Sequence, residues 1–262
     1  MMKKTFFLVL LLVAVSFFNS CETEDPIVLD FQSMTLDDFQ VDNHFNVILE
    51  ELNEMSTAFL QITNYPVYVG RTTGTTLNDD GTSTVTLNYL NFVNPNSIYQ
   101  YPISGTMEIL ITPTNFVRKV TFSNFSVNGK LVSGNLELTR SSNSDQIKFT
   151  NWKLTFTDQK FITRNGTRTL TSIESSGTPF IWDDIYEISG SLTGVNKQGY
   201  NYTLSTTTPL EKLTTYKHYV SGKAKLVVEE QNAIIDFGTG TSDSLINITI
   251  GEEIFPGIVL RD

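Results

Sequence analysis

Apolar and polar residues alternate along most of the chain after about residue 60. Between Ile103 and Ile109, every second residue is apolar or glycine, and the residues between them are serine, threonine and glutamate. Alternation with a period of two is typical of a β-strand that buries one face. Strands are predicted near 60–69, 82–93, 101–112, 116–127, 131–140, 146–157, 160–173, 184–194, 200–208, 218–230, 233–237, 244–250 and 257–260. The chain is therefore predicted to be mainly β.

A motif of the form apolar-Ser-Gly-x-apolar occurs four times within these strands. Its glycines share the parity of the apolar residues and so face the predicted core: Gly105, Gly134, Gly190 and Gly222. A glycine inside a strand marks either a bulge or the close approach of another group. A bulge in a curved sheet is favoured here over an aromatic ring or a helix packed on the glycines.

A second repeated motif alternates with the first. Phe122–Val127 recurs as Phe149–Leu154, and in both copies the apolar spacing changes from two residues to three. One extra residue turns all later side chains to the other face of a strand. Asn124 and Asn151 are predicted bulge positions, because asparagine tolerates unusual backbone angles.

One segment has helical rather than strand periodicity. Its apolar residues follow each other at steps of four and three, which places them on one face of a helix: Val41, Phe45, Ile48, Leu52, Met55 and Phe59. This spacing predicts a helix over about 38–59. Four of its polar residues are predicted to face largely toward solvent: His44, Glu50, Glu51 and Glu54.

The order of these elements predicts the fold. Turn-forming pairs lie between the candidate strands: Asp80-Gly81, Asn94-Pro95, Asn128-Gly129, Asn165-Gly166 and Gln198-Gly199. We expect a single curved antiparallel meander sheet, open and half-barrel-like, with the helix packed on its apolar face. No internal linker divides residues 38–262, which are predicted to form one β-rich domain.

The N-terminus has the features of an export signal. Lys3 and Lys4 precede an apolar run from Phe6 to Phe18, which is too short for a membrane span and typical of a signal peptide. Residues 1–20 are predicted to be this signal. Cys21 follows directly as the only cysteine of the chain and is predicted to be lipidated, with residues 21–37 as an acidic tether.

Composition excludes some functions. The 262 residues carry a net charge of −10, which argues against nucleic-acid partners, because those require lysine and arginine against phosphates. No recognised catalytic or cofactor motif is present, so neither an enzymatic activity nor a cofactor is predicted. Asp236 and Asp243 form a weak candidate metal loop, but a glycine-rich hairpin turn is favoured because Ca²⁺ needs more oxygen ligands.

The C-terminal part carries a family resemblance. Its V-S-G and I-S-G strands, Pro209-Leu210 and the segment Ile235–Asp243 resemble a family of uncharacterised β-rich lipoproteins of the Bacteroidota. The resemblance covers roughly residues 100–262. It implies an exported, lipid-anchored protein of the outer membrane. The acids that follow Cys21 resemble the surface-export signal of such lipoproteins and imply exposure at the cell surface.

Three functional hypotheses remain open. The first is a non-enzymatic binding module for a glycan or protein, which one exposed aromatic patch would favour: Trp182, Tyr186, Tyr200 and Tyr202. The second is a lipid-handling half-barrel carrier of the cell envelope, which an apolar cavity between helix and sheet would favour. The third is a purely structural lipoprotein.

Overall fold

The computed structural model describes residues 29–60, 67–112, 117–174, 185–241 and 243–260. Residues Phe31–Asp262 form one compact unit, and the unit before it is described only at Leu29 and Asp30. The predicted signal peptide, Cys21 and Trp182 lie outside the described residues.

A single antiparallel sheet makes up most of the described part of the chain, with 64% of the described residues in strands. The thirteen strands follow each other in the sheet in the order in which they occur in the chain, and the sheet is not closed. This confirms the predicted open meander. The strands are β1 (Arg71–Leu77), β2 (Ser83–Phe92), β3 (Ile103–Thr112), β4 (Val117–Val127), β5 (Lys130–Arg140), β6 (Ser144–Thr155), β7 (Phe161–Glu174), β8 (Ile185–Val195), β9 (Asn201–Leu213), β10 (Tyr219–Val228), β11 (Gln231–Thr239), β12 (Leu245–Ile250) and β13 (Glu253–Val259).

One strand was not predicted, and one predicted turn was wrong. No strand was predicted at β1, and the predicted strand at 60–69 lies largely outside the described residues. Asn165-Gly166 is not a turn but lies inside β7, where Asn165 pairs with Thr193 of β8. Gly166 has a φ of 128°, so this glycine serves an irregular strand position instead of a reversal of the chain.

The bulge interpretation of the repeated glycines is confirmed. Gly105 has a φ of 94°, and a Cβ on it would lie 2.1 Å from the carbonyl oxygen of Asn124. Asn124 itself has a φ of 48°, and the register of β3 against β4 shifts between Ser104 and Thr106. The backbone of the next strand, and not a ring or a helix, is therefore what approaches the glycine.

The helix α1 spans Phe31–Leu60 and begins earlier than the predicted position near Asp38. The start of α1 therefore lies in the segment that was predicted to be tether. The helix packs on the inner face of the sheet, where the ring of Phe45 lies 5.0 Å from that of Phe149 and 6.4 Å from that of Trp152.

The prediction that four polar residues of α1 face solvent was wrong. His44, Glu51 and Glu54 are buried, and Glu50 is half-buried. The sheet curves around α1, so that side chains outside the apolar stripe also meet strands. Arg71 of β1 contacts Glu51, for example, while Tyr219 of β10 contacts the same helix farther toward its N-terminus.

Buried ion pairs join α1 to the sheet at two places. Near the start of the helix, Asp42 accepts hydrogen bonds from Arg164 (2.5 Å), Arg168 (2.7 Å) and the hydroxyl of Tyr219 (2.7 Å). Farther along the helix, three polar side chains donate to the carboxylate of Glu51: Arg71 at 2.9 Å, Tyr89 at 3.0 Å and Asn94 at 2.7 Å. These contacts fix the rotation of the helix against the strands.

Candidate functional site

A pocket of about 300 Å³ lies between α1 and the inner face of the sheet. Leu170 of β7 and Ile188 of β8 give its sheet side an apolar surface. The helix contributes four residues at spacings of three and four, which places them on one face: Asn46, Leu49, Glu50 and Asn53. The pocket therefore combines apolar residues of the sheet with mainly polar residues of the helix.

Lys212 contributes a buried amine to this pocket. It lies on β9 two residues after Leu210, so both side chains point inward, and it is only 8% exposed. Its Nζ donates to the hydroxyl of Tyr99 at 3.2 Å and to the carbonyl of Tyr216. Burial lowers the pKa of Lys212 to about 7. The negative charge of Glu50 raises this pKa, but by less than burial lowers it.

Glu50 supplies a carboxyl group from the helix side of the pocket. Burial raises the pKa of Glu50 to about 7, because the charged form loses water. Its Oε2 atom is buried and has no hydrogen-bond partner in the described part of the chain. A buried polar atom without a partner is uncommon, and in a pocket it indicates a place for a ligand atom or a water.

Tyr99 connects the loop after β2 to both sides of the pocket. Its hydroxyl accepts hydrogen bonds from Asn46 Nδ2 at 3.0 Å and from Lys212 Nζ, and donates to the carbonyl of Lys217 at 3.5 Å. Burial raises the pKa of Tyr99 well above its usual value, so this hydroxyl stays neutral. Tyr99 thus holds the amine of Lys212 in a fixed position.

A groove of about 450 Å³ adjoins the pocket at the β5–β6 hairpin. Pocket and groove share Asp145, Leu170 and Tyr186. Asp145 accepts two hydrogen bonds from the guanidinium of Arg140, at 2.9 and 2.7 Å. The carboxylate at this boundary is therefore already paired.

The three described tyrosines of the predicted aromatic patch do not lie together. Tyr186 lines the pocket and pairs with Lys212 near the end of β9. Tyr202 lies near the start of the same strand, is buried, and donates its hydroxyl to the carbonyl of Thr163 at 3.1 Å. Tyr200, just before this strand, is half-buried. Of these three tyrosines, only Tyr186 lines the pocket.

The candidate metal loop is held by its own hydrogen bonds. Asp236 pairs with Lys223 at 2.8 Å, and Asp243 accepts from the backbone of Leu245 at 3.0 Å. Gly238 and Gly240 have positive φ angles, as the favoured turn requires. Within the described ranges, no group of three or more His, Cys, Asp or Glu side chains is arranged to hold a metal ion.

Sequence reasoning missed most of this pocket. Lys212 was overlooked because strand 200–208 was predicted to end too early, although its parity with Leu210 indicates an inward side chain. Asn46 and Tyr99 carry no motif, and their proximity depends on how the loop after β2 folds back over α1. Glu50 was assigned to solvent because only one face of the helix was expected to be covered.

Comparisons of the chain with protein-family models, curated proteins and solved structures found no match. In the part of the chain that the structure describes, no helix is both long and apolar enough to cross a membrane. The basis for a functional proposal is the pocket and the titratable side chains that line it.

Proposed function

We propose that this protein is a lipid-anchored envelope protein that binds a small molecule between α1 and the sheet without catalysing a reaction. The observation that carries the proposal is the pocket, which Lys212 and Glu50 line together with Leu170 and Ile188. Ligand sites are typically roughly 300–1,000 Å³ in volume, mostly apolar, with a few polar groups that orient the ligand. Titratable groups with shifted pKa values are concentrated at such sites.

The same pocket supports a carrier of a small amphiphile as a second candidate function. A cavity under the helix is what the lipid-handling hypothesis required, but three of the four helix residues that line it are polar. A phospholipid has two chains that each reach halfway across a hydrocarbon core about 30 Å thick. A volume of about 300 Å³ holds roughly ten water-sized groups. The pocket therefore suits a compact or single-chain molecule.

Filling the pocket is expected to abolish ligand binding. Ile188→Trp places an indole in the cavity, whereas Glu187→Trp places the same ring on the exposed face of the same strand. Native mass spectrometry of protein purified gently from envelope extract should show a bound small molecule on the wild type and on Glu187→Trp, and none on Ile188→Trp. A wild-type protein without bound mass that also binds no member of a small-molecule library would contradict the proposal.

The proposed anchor rests on Cys21 and on the apolar run before it. Cys21→Ser removes the thiol that an acyl group would modify, and the variant is expected to leave the membrane fraction and to lose the acylated N-terminal peptide. Ser20→Ala keeps a small residue before the cysteine and should remain anchored. Membrane fractionation and peptide mass spectrometry measure both effects, and a membrane-bound Cys21→Ser chain would refute the anchor.

A further inference from the structure

The buried amine of Lys212 has hydrogen-bonding capacity left over. An ammonium group has three donors, and two of them are used by the hydroxyl of Tyr99 and the carbonyl of Tyr216. Neither partner carries a negative charge. Among the described residues, no carboxylate lies within 4.0 Å of Nζ. An ammonium ion at this position therefore lacks the counter-ion that buried charges normally have.

The charges around the pocket favour an anion. The described ionisable groups that face it are Glu50 of α1, Tyr99 of the loop after β2, Asp145 at the start of β6, Tyr186 of β8 and Lys212 of β9. Asp145 is neutralised by Arg140 of the adjoining groove. Asp42, a more distant charge on α1, is held by two arginines. When Glu50 is protonated, Lys212 is therefore the one described ionisable residue lining the pocket whose charge no partner balances.

Glu50 can complement an anion instead of repelling it. In the protonated form its carboxyl group has one O–H donor, which an oxygen of a ligand carboxylate accepts. The Oε2 atom is buried and has no partner among the described residues, while the side chain of Ser97 hydrogen-bonds to the carboxyl group. A carboxylate between Glu50 and Lys212 would thus receive one hydrogen bond from each, and at least one of these would be charge-assisted.

The apolar residues of the pocket determine the rest of the ligand. Leu49 of the helix and Leu170 and Ile188 of the sheet offer hydrocarbon surface, which favours an apolar chain over water. With room for roughly ten water-sized groups, the pocket fits a chain of the size of octanoate.

We propose that the ligand is a single-chain carboxylate whose head group lies between Lys212 and Glu50 and whose hydrocarbon part packs on Leu49, Leu170 and Ile188. This inference rests on the proposed binding function of the same pocket. It names the chemical class of the ligand and predicts that binding is linked to protons.

Protonation of the pocket should strengthen the binding of a carboxylate. A bound carboxylate favours the charged form of Lys212 and the neutral form of Glu50, and both of these are the protonated forms. Because the pKa of each group lies near 7, both forms predominate at pH 6 and are depleted at pH 8. The affinity for octanoate should therefore fall about tenfold from pH 6 to pH 8 if one proton is linked, and about a hundredfold if both are.

Isothermal titration calorimetry on the purified full chain tests this inference with three probes of matched length: octanoate, 1-octanol and octylamine. The expected result is that octanoate binds most tightly at pH 6 and weakens toward pH 8, whereas the Kd of 1-octanol stays within about twofold. Octanol or octylamine binding at least as tightly as octanoate at pH 6, or a pH-independent octanoate Kd, overturns the carboxylate inference but leaves small-molecule binding intact. No binding of any probe overturns the inference and counts against the proposed function as well.

Two pocket variants and one control variant show where octanoate binds. Lys212→Met should weaken octanoate at least tenfold at pH 6 and leave 1-octanol nearly unchanged, while Lys148→Met, on the exposed outer face of β6, should change neither. Glu50→Gln should reduce the pH dependence to that of one proton. Unchanged octanoate binding by Lys212→Met overturns the inference. If Lys212→Met does not fold, the pH dependence of the wild-type protein decides the question.

Discussion

Gly105→Ala is expected to destabilise the protein by about 2–5 kcal/mol. Two effects contribute to this loss. An alanine at a φ of 94° adopts a backbone conformation that L-residues avoid. Its Cβ would also lie 2.1 Å from the carbonyl oxygen and 2.7 Å from the Cα of the neighbouring strand, so that β3 and β4 must separate. Urea denaturation followed by circular dichroism measures the change in the free energy of unfolding.

Gly199→Ala separates the two effects. Gly199 has the same φ of 94°, but a Cβ there would meet no atom within 4 Å. Only the backbone penalty of about 1–2 kcal/mol is therefore expected. Equal losses for Gly105→Ala and Gly199→Ala would show that the approach of the neighbouring strand is not what requires glycine in the repeat.

This difference between the two glycines shows what the sequence could and could not predict. The period-two pattern places glycine on the core face in each Ser-Gly motif, and the shifted spacing at Asn124 indicates a bulge on a partner strand. The meander and most of its strands follow from that pattern. The pattern does not show which group approaches each glycine, because the approaching group depends on the register between strands.

The helix was predictable in kind but not in its surroundings. Its apolar stripe is clear in the sequence, yet Glu51 and His44 lie off the stripe and are buried as well. Thirteen strands curving around one helix cover more than one of its faces, and no local sequence signal reports how far a sheet curves. The pocket was missed for the same reason, since Lys212, Tyr99 and Glu50 come from three elements that meet only after the sheet has curved around α1.

The buried charges on the helix are also the basis of the second large prediction. Asp42→Asn is expected to reduce the free energy of unfolding by about 3–5 kcal/mol, because it removes one partner of a buried ion network and leaves the other uncompensated. Arg164 retains Asp38 at 2.7 Å, whereas the ion pair that Arg168 makes with Asp42 at 2.7 Å is lost. Glu137→Gln provides the control.

The control is matched in chemistry but not in burial. Glu137 faces Lys119 at 3.9 Å on the solvent side of the sheet, with about half of each side chain exposed. Screening by water limits such a pair to about 0–1 kcal/mol. Urea denaturation of both variants at pH 7 makes the comparison. A loss for Asp42→Asn no larger than that for Glu137→Gln would mean that the buried network adds nothing to stability.

The pH dependence of stability offers an independent test of the same network. Burial raises the pKa of Asp42, but Arg164 and Arg168 outweigh it and hold the pKa well below its usual 3.8. Burial dominates at Asp38 and raises its pKa, so Asp38 takes up a proton first as the pH falls. A carboxylate with a lowered folded-state pKa stabilises the fold fully above about pH 4, and this stabilisation is lost as the pH falls through the folded-state value.

The wild type should therefore lose stability between pH 4 and pH 2 more steeply than Asp42→Asn, because the variant has no charge at this position to protonate. Parallel stability curves for the two proteins over that range would show that Asp42 is not the group through which acid unfolds the protein.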